Sequence, residues 1–270
     1  LQRSSNHGFN SKSAALESAR ASACLPLAEE DATAWPRCQP RHRLLEAAGI
    51  ATFAVLCSWG LIRLGLALER PAQAWLLAVA ALFGWLIADF LSGLAHWALD
   101  TWGSVRTPWL GPGFIRPFRE HHRDEHAITT HDFIETNGAS CLACLPLLIA
   151  ATLLPLTGDA AVALQSLLLA TALGVLATNQ CHKWAHTAPK HLSPAVRLAQ
   201  RLRLVLPPAM HRRHHTPPFD SHYCTASGWL NAPLEAIGFF RCLERAIARL
   251  GWAAPARNQQ RGAAAEKGAA

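Results

Sequence analysis

Four apolar stretches, each close to the length of a bilayer crossing, restrict what this chain can fold into more than any other feature. They run near residues 46–68, 72–99, 139–156 and 160–181. A hydrocarbon core of about 30 Å takes about 20 helical residues to cross, and inside it the backbone must satisfy its own hydrogen bonds. The chain is therefore expected to be all-α, a multi-pass membrane protein with about four transmembrane helices. Charge agrees: 16% of the 270 residues are charged, where soluble domains carry about 25%. The connections Glu69-Arg70-Pro71 and Thr157-Gly158-Asp159 are short, so stretches 1 and 2, and 3 and 4, pair as antiparallel hairpins. Arg63 interrupts the first stretch, and Pro146 and Pro155 fall in the third; proline is tolerated in membrane helices.

The net charge of +7 matters through its distribution. Arg37, Arg41 and Arg43 precede the first stretch, and Arg106, Arg116, Arg119 and Arg123 fill the long central connection. More basic residues follow the fourth stretch, while the two tight loops carry only Arg70. Basic loops stay on the cytoplasmic side, so both termini and the central connection are expected there. A nucleic-acid partner would need a basic face interleaved with base-reading side chains, and no such face is visible. The eight cysteines are scattered, and Cys141-x-x-Cys144 within an apolar run reads as small apolar filler on a lipid-facing helix. Residues 1–44 read as a disordered tail or a targeting segment, 45–252 as the membrane domain, and 253–270 as a second tail.

Most of the 14 histidines crowd at the ends of the apolar stretches, on the side that charge assigns to the cytoplasm. His182 and His186 are spaced i, i+4 and share a helical face. His211, His214 and His215 can point one way if their segment is helical. Asp89, Gly93, His96 and Asp100 form one stripe along the second stretch. With His121, His122 and His131, nine imidazoles are candidate metal ligands. That is too many for one tetrahedral zinc and suits a pair of iron ions, the expected di-iron site at the cytosolic face. Each ligating ring needs an acceptor for its second nitrogen; Asp89, Asp100, Asp132, Glu135 and Asn179 are the candidates. The remaining histidines, His7, His42, His126, His191 and His222, read as surface residues.

These same residues carry a family resemblance. Asp89-Phe-Leu-Ser-Gly-Leu-Ala-His96-Trp-Ala-Leu-Asp100-Thr-Trp-Gly103 resembles the plasmanylethanolamine desaturase, or Kua, family. So do Phe114-Ile-Arg-Pro-Phe-Arg-Glu-His121-His122 and Ile128-Thr-Thr-His131-Asp-Phe-Ile-Glu-Thr-Asn-Gly138. Thr178-Asn-Gln-Cys-His182-Lys-Trp-Ala-His186, the run His211-x-x-His214-His215, and Tyr223-Cys-Thr-Ala-Ser-Gly-Trp229-Leu-Asn231 continue it in order. The likeness spans about residues 45–240. It departs at Glu125-His126 and at Thr130, which concerns loop shape more than ligands.

The resemblance implies an oxidoreductase that desaturates C1–C2 of the sn-1 alkyl chain of plasmanylethanolamine, giving the vinyl ether of a plasmalogen. It implies two iron ions, molecular oxygen as co-substrate, and electrons from cytochrome b5 and its NAD(P)H reductase or an equivalent carrier. The membrane would be the endoplasmic reticulum in a eukaryote and the inner membrane in a bacterium. Arg116, Arg119, Lys183, Trp97 and Trp184 are candidates for holding the lipid headgroup region. Two alternatives stay open. One is the same iron site acting on acyl chains as a desaturase or hydroxylase, as in the plastid phosphatidylglycerol palmitate trans-3 desaturase. The other is a non-catalytic membrane metal-binding protein.

Overall fold

In the computed structural model, residues 40–68, 70, 73–108 and 110–252 are described. The expected tails at residues 1–39 and 253–270 lie outside them; residues 40–44, assigned to the first tail, already belong to a helix. Helix α1 covers Pro40–Ala67, α2 Ala74–Thr101, α5 Phe133–Leu153 and α6 Gly158–His186. All four are long and apolar enough to cross a membrane. Between α2 and α5 lie a short π-turn at Gly111–Ile115 and the helices α3 (Arg116–Arg123) and α4 (Ala127–Thr130). After α6 come α7 (Pro194–Arg201), α8 (Pro208–His214), α9 (Asn231–Ala236) and α10 (Phe239–Arg249). No strand occurs among the described residues.

Most of the packing is between α1 and α5 and between α2 and α6, with α5 against α6 closing the bundle. Phe53, Cys57, Cys141, Leu148 and Leu169 fill its centre. Outward, large side chains such as Trp59, Leu66, Phe83 and Leu153 are exposed, a surface that suits lipid. Lipid offers no hydrophobic drive between helices, so close approach through small residues matters. Gly84 lies on Ala170, and Gly174 lies on Ala88. At one end, Arg70 and Gln73 both donate to Asp159, at 2.7 and 2.8 Å, tying the two short connections together. There Arg63 donates to the carbonyls of Ala151, Thr152 and Leu154, closing the end of α5.

The opposite end gathers the start of α1, the end of α2, the start of α5 and the end of α6. With 28 and 29 residues, α2 and α6 reach about 42 Å at 1.5 Å per residue, beyond a hydrocarbon core of about 30 Å. Their last turns carry His96, Asp100, His182 and His186. Helices α3 and α8 cover this end and bring in the other histidines.

Candidate metal centre

Each histidine run is placed by local structure. His182 and His186 occupy the last turns of α6. Pro208 starts α8, whose fixed φ suits a first helical turn, and α8 turns His211 and His214 inward while leaving Arg212 and Arg213 exposed. His121 and His122 stand on α3, and His96 and Asp100 one turn apart on α2.

These side chains form two adjacent groups able to hold a metal ion. The first comprises His121, His182, His186, His211 and His215. Four of their Nε2 atoms close a ring: His121 to His182 is 3.1 Å, His182 to His211 2.8 Å, His211 to His215 3.0 Å, and His215 to His121 2.9 Å. A square with such edges has a centre about 2.1 Å from each corner, a metal–imidazole bond length. The His186 ring lies 4.4 to 5.3 Å from the other four, capping the ring. Its Nε2 is buried with no hydrogen-bond partner among the described residues.

The second group is His96, Asp100, His122 and His214. Asp100 Oδ2 lies 3.0 Å from His122 Nε2, 3.4 Å from His96 Nε2 and 3.5 Å from His214 Nε2. A carbonyl oxygen only accepts, so the 3.0 Å contact of His96 Nδ1 with Tyr223 and the 2.9 Å contact of His214 Nδ1 with Ser221 require protonated Nδ1 atoms. Both Nε2 lone pairs then face Asp100, the arrangement of a metal-ligating ring held by a backbone acceptor. The groups share a wall, with the His122 ring 5.2 Å from that of His215.

The electrostatics favour ligation. Burial, reinforced by neighbouring rings, pushes the pKa values of His121, His211 and His215 far down and keeps these rings neutral. At His122 burial acts in the same direction, but the Asp100 carboxylate outweighs it and raises the pKa. Neutral nitrogens packed lone pair to lone pair, several without partners, fit a bound cation better than they fit one another.

Not every sequence expectation lands here. Eight of the nine expected ligand histidines fall in the two groups, while His131 stands apart, 3.7 Å from Glu135. Asp100, expected as a supporting acceptor, lies among the donor atoms themselves. Asp89 contacts backbone N–H groups instead of a ring, and Asp132 caps α5 and pairs with Arg43 at 2.5 Å. Asn179 donates to Thr136 and Ser140. At Nδ1 of the grouped rings, acceptors among the described residues include the Tyr223 and Ser221 carbonyls, together with Glu125 at 3.4 Å from His215 Nδ1. Carbonyls carry no side-chain signal, and Glu125 showed only as a departure from the family pattern.

An apolar pocket of about 560 Å³ runs between α2, α5 and α6 up to the first group. Leu91, Ala95, Ala143, Leu147 and Val175 line it, and His121 and His182 stand in its wall. Arg116, Arg119, Lys183, Trp97 and Trp184, the expected headgroup contacts, do not line it. Trp97 is buried and donates to Glu244 at 2.9 Å, Arg119 donates to the Trp102 carbonyl, and Lys183 donates to the His131 carbonyl. Arg116 lies 3.9 Å from Glu120, and Trp184 packs by Leu206.

Residues 85–258 match the family profile described as the lipid desaturase domain. The chain belongs to this family. It is similar to a plasmanylethanolamine desaturase from Myxococcus xanthus, 47% identical over 215 residues covering 77% of this chain and 73% of the relative. Plasmanylethanolamine desaturase 1 from Mus musculus is 44% identical over 213 residues, covering 77% and 78%. A chloroplastic fatty acid desaturase 4 from Arabidopsis thaliana is more distant, 33% identical over 209 residues, covering 75% and 60%. No solved structure matches. As a desaturase of this family, the chain is a membrane oxidoreductase acting on lipid, and both histidine groups fall within the matched segment.

Proposed function

We propose that this desaturase converts plasmanylethanolamine to its vinyl ether by removing two hydrogens across C1 and C2 of the sn-1 alkyl chain. The observation that carries the reading is the apolar pocket ending on His121 and His182, in a chain 44 to 47% identical to named plasmanylethanolamine desaturases. The five-histidine group and the group around Asp100 each hold one iron in this reading. Bound iron supplies the oxygen activation that breaking an unactivated C–H bond requires. The reaction balances when the alkyl chain gives up two hydrogens with their electrons. A carrier adds two electrons, two protons enter, and one O2 leaves as two waters. Cytochrome b5 with its NAD(P)H reductase, or an equivalent carrier, fills that role.

The chain's own residues bind and orient. Leu91, Ala95, Ala139, Ala143, Leu147 and Val175 hold an alkyl chain extended along the bundle and keep water out of the path to His121 and His182. Polar side chains also line it, among them Glu120, His131, Glu135 and Asn179. Leu147 lies 14 residues into α5, about 21 Å from its start at 1.5 Å per residue, a depth that suits a long tail anchored by a headgroup at the surface. The basic residues of α1, the central connection and the segment after α6 favour the cytoplasmic side for this end. The membrane is the endoplasmic reticulum in a eukaryotic host and the inner membrane in a bacterium.

Expression in a cell lacking plasmalogens tests the function. Acid-labile vinyl ethers are expected with the parent chain and absent with His211→Ala. An altered acyl-chain double-bond pattern without vinyl ethers would replace this reading with an acyl desaturase.

A further inference from the structure

Asp89 lies seven residues before His96 on α2 and is wholly buried. Its partners are backbone donors. Oδ1 accepts from Ala226 at 3.1 Å, Ser227 at 2.9 Å and Gly228 at 2.9 Å, and Oδ2 accepts from Leu230 at 3.1 Å. Successive N–H groups converging on one anion form a nest, and Gly228, at φ +74°, makes the turn that points them together. The segment is held at further points. Ser92 Oγ accepts from the Thr225 N–H, and the Asn231 side chain pairs with both backbone groups of Cys224. Gly93 leaves room for this contact: a methyl there would sit 2.6 Å from Cys224 Sγ.

The segment so held delivers two acceptors to one donor group only. Tyr223 accepts from His96 Nδ1, and Ser221, two residues upstream, accepts from His214 Nδ1. The buried Tyr223 ring fills the space beside both, with ring centres 5.8 and 5.0 Å away. The five-histidine group is held differently. Nδ1 of His121 and of His211 has no partner among the described residues, as is also true of His122 Nδ1 in the other group, and His215 Nδ1 faces Glu125.

We infer that Asp89 is a positioning residue for one metal site of the two. By holding residues 223–231 on α2, it fixes which nitrogen of His96 faces Asp100. It thereby controls whether His96, Asp100, His122 and His214 bind their ion. The five-histidine site takes no ring acceptor from this segment and is expected to keep its ion without it. The inference rests on reading both groups as metal sites.

The test uses the full chain in detergent, stripped of metal and titrated anaerobically with ferrous ion. The parent is expected to retain about two equivalents and Asp89→Asn about one. Adding His211→Ala to the Asp89→Asn chain removes that last equivalent, whereas adding His214→Ala leaves it. Gly93→Ala, which wedges the segment off α2 without touching Asp89, is expected to reproduce the loss of one. It decides the matter if Asp89→Asn does not fold. A parent that retains fewer than two equivalents overturns the two-site reading itself. A parent with two, and variants that keep both ions or lose both together, overturns the role of Asp89 and leaves that reading standing.

Discussion

Moving one methyl group across the α2–α6 interface tests whether helix spacing sets the geometry of the histidine site. A Cβ placed on Gly174 would lie 2.6 Å from Ala88 Cβ, with its next neighbours at an ordinary 3.5 Å. Carbon atoms rest at about 3.5–4.0 Å, so Gly174→Ala forces the helices about 1 Å apart at this contact. Overpacking of this kind costs about 1–3 kcal/mol. Ala88 and Gly174 each lie eight residues before a ligand candidate, His96 and His182, whose rings are 5.5 Å apart. At 1.5 Å per residue that is about 12 Å along each helix, close enough for the displacement to reach the site. A misplacement of about 1 Å can lower turnover by about 100-fold. The double variant Gly174→Ala with Ala88→Gly removes the clash, and the helix-propensity changes at the two positions, about 1 kcal/mol each, oppose one another. Vinyl-ether production and the unfolding temperature in detergent read the outcome. The single variant should lose both, and the double should return close to the parent. A double variant as impaired as the single, or a single variant as stable and active as the parent, refutes the reasoning.

Three other predictions follow from particular contacts. His131→Ala should leave iron content at the parent level, because His131 lies outside both donor groups; loss of an ion would return it to the ligand set. Arg63→Leu leaves the carbonyls at the end of α5 without their guanidinium and should cost about 3 kcal/mol, read as a lower unfolding temperature with normal iron content. The metal-free protein should lose stability as pH falls through about 6.5, the value at which unfolded histidine protonates. His121, His211 and His215 have folded pKa values far below that, so the unfolded state binds more protons there and each ring costs up to about 1.4 kcal/mol per pH unit. An unfolding temperature of the stripped protein that stays flat or rises on acidification would contradict this.

Eight of the histidines that the structure gathers were legible in the chain because they fall in local patterns. The i, i+4 pair of His182 and His186 needs only a helix to share a face, and α6 supplies it. Asp89 shows where local reasoning stops. Its place on the stripe with His96 suggested a partner for an imidazole, yet its carboxylate meets N–H groups about 140 residues away in the chain. Asp100 and His131 exchanged expectations for the same reason. One turn along α2 brings Asp100 level with His122 from α3, whereas His131, just before α5, is held beside Glu135.

The sequence by itself determined four helices long and apolar enough to cross a membrane, with most imidazoles at one end of them, because hydropathy and helical period are properties of neighbouring residues. Only the tertiary structure decided how those donors divide into a group of five and a group of four. Distances among residues 96, 121, 182 and 211 depend on how separate helices pack. It also decided which groups orient the rings, since every residue carries a carbonyl and only the fold selects those of Tyr223 and Ser221.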